Sequence, residues 1–159
     1  MRGCAVGADE AITKLMVKKI LFISLSNIGD AILTLPALTI LKDNFPQAKI
    51  TVIASIRSQE VFKLFRGIDR VIIFDKKSSL KDKFNLITDL RQEKFDALLD
   101  LRRSFFGLLI PAKYKISFFK KIPREITHMQ QRHLFSLVFN SSLLLNYPDL
   151  NTEIGRAHV

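Results

Sequence analysis

The residue with the strongest claim to chemistry is Asp30, within Leu25-Ser26-Asn27-Ile28-Gly29-Asp30-Ala31-Ile32-Leu33-Thr34-Leu35-Pro36. An extended run, Lys19 to Leu25, leads into it, and an apolar helical pattern follows it to about Leu41. That is a strand, a tight turn and a helix, with one carboxylate where the strand ends. In open α/β sheets, ligands bind beyond the carboxyl ends of the strands. The helix N-terminus favours negative charge and would help to keep the acid ionised. An ionised carboxylate beside a hydroxyl is what a general base requires. Asp30 is equally suited to cap the helix that begins there, and the two roles are compatible. Gly29 fits either reading, because glycine lets backbone or substrate approach closely.

Three further groups stand at strand ends or helix starts. Asp100-Leu101-Arg102-Arg103-Ser104 closes an apolar strand pattern, and two arginines with a hydroxyl suit phosphate or carboxylate recognition. The plainer alternative is that Arg102 and Arg103 are solvated or pair with Asp100. His128 and Arg132, in Thr127-His128-Met129-Gln130-Gln131-Arg132-His133, are four residues apart and share a helix face. They could bind an anion, although a lone histidine is more often structural. Arg57, just after the second strand, is a candidate whose alternative is a solvated loop arginine.

The elements that must position these groups alternate along the chain. Strands are expected at about 19–25, 49–54, 70–74, 97–101 and 114–118. Helices are expected at about 30–43, 58–66 (closed by Gly67), 79–94, 104–110 and 127–145. Pro36 should kink the first helix or mark a second start. Short apolar strands alternating with helices imply an α/β fold, a Rossmann-like doubly wound parallel sheet covered on both faces, with right-handed crossovers. The turn after the first strand lacks G-x-G-x-x-G, and no P-loop occurs, which argues against a plain NAD or ATP enzyme. The only histidines are His128, His133 and His158, and with the single Cys4 they form no zinc spacing.

The chain has 159 residues, 48% of them hydrophobic, which suits one domain with a real core. A net charge of +10, from 25 Lys+Arg against 15 Asp+Glu, favours an anionic partner. One cysteine rules out an internal disulfide. Residues 20–41 are apolar, but Asn27, Gly29 and Asp30 fall in mid-segment, so a membrane anchor there is rejected. Residues 1–15 read as an extension, with Met16 a natural start, 16–147 as the domain, and 148–159 as a linker with an artefactual tail. The last heptapeptide, Glu153 to Val159, resembles what a common sequencing adapter encodes, so the chain is expected to be a fragment.

Leu25-x-x-Ile28-Gly29-Asp30-Ala31-Ile32-Leu33-Thr34-Leu35-Pro36-Ala37-Leu38, followed by Phe45-Pro46-x-Ala48-Lys49-Ile50, resembles the N-terminal domain of the ADP-heptose:lipopolysaccharide heptosyltransferases, glycosyltransferase family 9. Phe95 to Arg102, Tyr114 to Phe118 and the His128–Arg132 stretch follow in the family's order. The resemblance spans about 16–146 and implies the N-terminal, acceptor-binding lobe of a two-lobed GT-B enzyme. It implies an inverting transfer of heptose or a related sugar from an ADP-sugar to the lipopolysaccharide inner core. No cofactor or metal is implied, and the ADP-sugar is a substrate held mainly by the C-terminal lobe, absent here. Asp30 matches the base that deprotonates the acceptor hydroxyl. Ser26, Asn27, Gly29, Arg57, Arg102, Arg103, His128 and Arg132 would contact the anionic acceptor. The implied location is cytoplasmic, peripheral to the inner face of the cytoplasmic membrane, with membrane contact and no nucleic acid as partner. Alone, the fragment is expected to be inactive. Ser26-Asn27 and Lys120-Lys121 depart from the family's commonest pattern, which leaves acceptor and sugar open. The rival reading is a non-enzymatic basic module binding nucleic acid or membrane through Lys and Arg alone. A response-regulator-like receiver fits less well, because Asp75 and Asp100 lack the receiver's acid cluster and lysine.

Overall fold

The computed structural model describes residues 17–100 and 104–117. The expected extension, the 127–145 helix, Lys120-Lys121 and the tail all lie outside the described residues. Five strands form one sheet: β1 (Lys19–Ser24), β2 (Lys49–Ser55), β3 (Arg70–Phe74), β4 (Phe95–Asp100) and β5 (Ala112–Ser117). All neighbours pair in parallel, in the order β3-β2-β1-β4-β5. The doubly wound α/β fold expected from the alternating pattern is therefore the one found.

β1 occupies the centre because its sequence tolerates burial on both faces. Ile20 and Phe22 enter one core cluster, Leu21 and Ile23 the other, and none of the four is more than 1% exposed. Two helices cover the first face: α1 (Ile28–Asn44), through Ala37, Leu38 and Leu41, and α2 (Gln59–Leu64), through Phe62. On the second face lie α3 (Leu80–Gln92), through Leu90, and α4 (Phe105–Leu109), through Phe106. Each buried Leu, Ile or Phe side chain contributes about 1.5–3 kcal/mol.

Several boundaries differ from expectation, each for a local reason. α1 begins at Ile28, two residues before Asp30, because extended Asn27 (φ −74°, ψ 169°) is the N-cap. Its carbonyl takes the first helical bond, from the Ala31 N–H at 3.0 Å. Pro36 starts no second helix: α1 runs through it unbroken. The bond Pro36 cannot give to the Ile32 carbonyl is one loss among many in a 17-residue helix packed along its length. α2 ends at Leu64, and Gly67 (φ +108°) serves the turn that follows rather than the helix end itself. α3 opens on Ser79 as N-cap, with Ser79 Oγ accepting from the Asp82 N–H and donating to the Asp82 carboxylate. After its C-cap Glu93, Lys94 takes the left-handed conformation (φ 50°). That turn delivers Phe95 straight into β4, two residues earlier than the apolar run suggests. β5 likewise starts at Ala112, directly after Pro111.

Two carboxylates fasten the opposite, N-terminal edge of the sheet. Asp96 accepts from the backbone N–H groups of Lys18 (2.8 Å) and Lys19 (2.9 Å). Asp69 accepts from the Ile50 N–H at 2.8 Å.

Candidate functional site

Parallel strands bring their carboxyl ends to one edge, and the loops leaving β1, β2 and β3 meet there. The β1 and β2 loops are tied by hydroxyls. Ser24 and Ser26 lie 3.1 Å apart through their Oγ atoms, and Ser55 Oγ donates to the Ser26 carbonyl at 2.7 Å. Ser55 and Ser58 continue the chain at 2.9 Å. Ser26 and Ser58 are buried, so these contacts are sheltered and fix the loops relative to one another.

The fixed loops border a cavity of about 540 Å³ lined by Leu25, Ser26, Asn27, Ser55, Arg57 and Phe74 with Asp75, Lys76 and Lys77 among others. Ser26, Asn27 and Arg57, three of the residues singled out from sequence, thus share one wall. The β3 loop adds Lys76 and Lys77, which the sequence reading missed. Their only signal was position, two cations immediately after a strand end. An Asx turn holds this loop, with Asp75 Oδ1 accepting from the Lys77 N–H at 2.8 Å. The cavity carries three cationic side chains and one carboxylate, a balance that suits an anionic ligand.

Asp30 does not line this cavity; it follows Asn27, which does, by three residues. It is the third residue of α1, in the first turn, and is partly buried. Thr34, Ala37 and Leu41, at successive turns below it, are buried against the sheet. Asp30 therefore heads the row that packs inward, at the end where β1 stops. The expectation that it caps the helix is corrected, since Asn27 holds that position. An acid in the first turn is still favoured by the helix field. At Gly29, a Cβ would meet no atom within 4 Å. No protein contact requires glycine there, and the open space above it lies next to Asp30.

Asp100, at the end of β4, is 1% exposed and acts on Ser104, with Oδ2 accepting from the Ser104 N–H (2.6 Å) and hydroxyl (2.9 Å). Gly107 closes over the same carboxylate, where a Cβ would stand 2.9 Å from the Asp100 Cβ. Asp100 thus has a structural part in the β4–α4 turn, which Gly107 makes possible. Arg102, Arg103, His128 and Arg132 lie outside the described residues.

No family model matches the chain, and no curated protein matches it by sequence. Solved structures do. A family 9 glycosyl transferase from Veillonella parvula aligns at 25% identity and TM-score 0.65, over 76% of this chain and 40% of its own. E. coli heptosyltransferase WaaC with ADP aligns at 17% identity and TM-score 0.63, over 82% of this chain and 49% of its own. E. coli ADP-heptose lps heptosyltransferase II aligns at 19% identity and TM-score 0.63, over 76% of this chain and 40% of its own. The chain spans less than half the length of each of the three. The structures this chain is similar to are glycosyltransferases of family 9, heptosyltransferases among them, and its doubly wound α/β sheet is the fold it has in common with them.

Proposed function

We propose that this chain is the acceptor-binding part of an inverting glycosyltransferase that moves heptose or a related sugar from an ADP-sugar to the lipopolysaccharide inner core. The observation that carries the reading is the carboxylate of Asp30 in the first helical turn after central strand β1, three residues beyond Asn27, which lines a cavity bearing Arg57, Lys76 and Lys77. Asp30 takes the proton of the acceptor hydroxyl as that oxygen attacks the anomeric carbon. The bond from that carbon to the diphosphate oxygen breaks, and ADP leaves with the electron pair. Arg57, Lys76 and Lys77 hold phosphates or carboxylates of the acceptor. The tie between Ser26 and Ser55 keeps the two loops at fixed separation, so the acceptor hydroxyl meets the base without a search. The likeness to solved family 9 structures supports the reading, and one of them is a heptosyltransferase with ADP-2-deoxy-2-fluoro heptose.

The test has two arms. Asp30→Asn, in the protein that also carries the donor-binding half, should lower turnover by about 10²–10⁴-fold with little change in acceptor KM, as expected for loss of a general base. Turnover within a few-fold of the parent leaves Asp30 as a helix-stabilising acid and sinks the assignment. The second arm titrates the chain with a phosphorylated core oligosaccharide and, separately, with heparin and DNA over rising salt. Preference for the oligosaccharide that survives salt supports the transferase. Indiscriminate binding with a steep salt dependence supports the non-enzymatic basic module instead.

A further inference from the structure

α1 carries apolar residues beyond the side that it packs with. Thr34, Ala37 and Leu41 are buried against the sheet. A second row, Ile32, Pro36, Thr39 and Asp43, runs along another face of the helix at spacings of four, three and four residues. Together with Leu35 and Ile40 it lines a cavity of about 460 Å³, within the size range of small-molecule sites. Ile32 is 51% exposed, and Thr39 and Asp43 are exposed as well, so this groove is open to solvent.

The polar groups along the row are acceptors. Pro36 has no N–H, so the Ile32 carbonyl loses its helical donor and is left open at the level of Pro36. Thr39 Oγ1 donates to the Leu35 carbonyl at 3.3 Å, so what it offers the groove is lone pairs. Asp43 offers a carboxylate, and among the described residues no hydrogen bond or ion pair engages it. Its neighbour Lys42 is occupied elsewhere, with Nζ donating to the Ala48 carbonyl at 3.3 Å. Asp43 also lies in the last turn of α1, where the helix field favours a cation. The levels of Pro36, Thr39 and Asp43 succeed one another by about 4.5 and 6 Å along the helix axis.

A ligand matched to this row carries donors and positive charge at intervals of about one helical turn, with hydrocarbon between them. We infer that the groove on α1 binds a linear aliphatic polyamine. Its nitrogens meet the Ile32 carbonyl, the Thr39 hydroxyl and the Asp43 carboxylate, and its methylenes lie against Ile32, Pro36 and Ile40. Short methylene spacers place successive nitrogens at these steps. Charge makes the site selective: the whole chain carries +10, so a polycation is repelled in general and is held only where acceptors gather. The groove is opposite in sign to the cavity at Arg57, and the inference uses none of the residues assigned to the acceptor or to sugar transfer.

Titration of the isotope-labelled chain with spermidine, followed by amide chemical shifts and by calorimetry, tests it. The shifts should centre on residues 32–43 and saturate, while magnesium ion at matched ionic strength leaves the same amides unmoved. Asp43→Asn should weaken spermidine binding about two- to fivefold at low salt, since one ion pair is lost. Pro36→Ala gives the Ile32 carbonyl an N–H partner within the helix and should weaken binding roughly two- to tenfold. Both variants should melt at or above the parent temperature, because Asp43 is exposed and alanine suits a helix better than proline. Equal binding by the parent and both variants, equal shifts with magnesium, or shifts centred on other carboxylates such as Asp75 or Asp89 would each mean charge attraction alone and overturn the proposal. Absence of binding would overturn it too. So would α1 shifts that follow protein concentration rather than spermidine, which would assign the groove to a second copy of the chain.

Discussion

The carboxylates of this chain divide by the edge they occupy. Asp69 and Asp96 sit at the N-terminal edge and accept backbone N–H groups, which makes them fasteners of the sheet. Asp30, Asp75 and Asp100 sit where strands end, the edge at which such sheets bind ligands. Of these, Asp100 is committed to Ser104 and packs under Gly107, so it organises the turn after β4. Gly107→Ala should therefore destabilise the chain by about 1–3 kcal/mol through overpacking, read as a lowered midpoint in urea denaturation. An unchanged midpoint would show that the turn has slack. The position of Asp30, just past the end of β1, was legible in the sequence because the strand and helix patterns meet there. Lys76 and Lys77 were not legible, because their value comes from β3 lying beside β2 in space, which brings them to Arg57. The N-cap was misplaced by the same limit, since Asn27 and Asp30 are both good caps and only the backbone at Asn27 distinguishes them.

At the scale of elements, alternation in the sequence located every described strand and helix, and the errors fell at their ends. Strand ends depend on neighbours. β4 begins at Phe95 because Ala112 stands opposite it in β5, a register that no local pattern in β4 reveals. Helix ends depend on backbone conformation. Lys94 holds a left-handed turn that glycine adopts without penalty, and its side chain gives no hint of this. Lys94→Gly should raise stability by about 1 kcal/mol by removing that strain, seen as a raised midpoint in the same denaturation experiment. Lys94→Val should lower the midpoint, since a β-branched residue is worse still there. A fall with glycine would mean that the Lys94 side chain makes a stabilising contact outweighing the strain.

For the whole molecule, the shared likeness is that of a fold, and function enters through one edge of the sheet. Cavity, carboxylate and lysine loop all lie on the β1, β2 and β3 side, held by connections that are short along the chain. The tie from Ser55 to Ser26 spans 29 residues. The tie from Asp96 to Lys19 spans 77. Loop closure over the longer span costs more entropy before any contact offsets it, and non-local pairing slows folding. β1, β2 and β3 should thus acquire protected amides before β4 and β5 when refolding is followed by pulsed hydrogen exchange. Simultaneous protection of all five strands would refute that order. During synthesis the consequence is sharper. A ribosome that has just released Lys77 has already issued everything that lines the cavity at Ser26 and Arg57, while the far side of β1 still waits for a partner not yet made. Until residue 100 emerges, that bare margin of Lys19–Ser24 is an adhesive strip, and the nascent chain is most open to mispairing or to a chaperone during this interval.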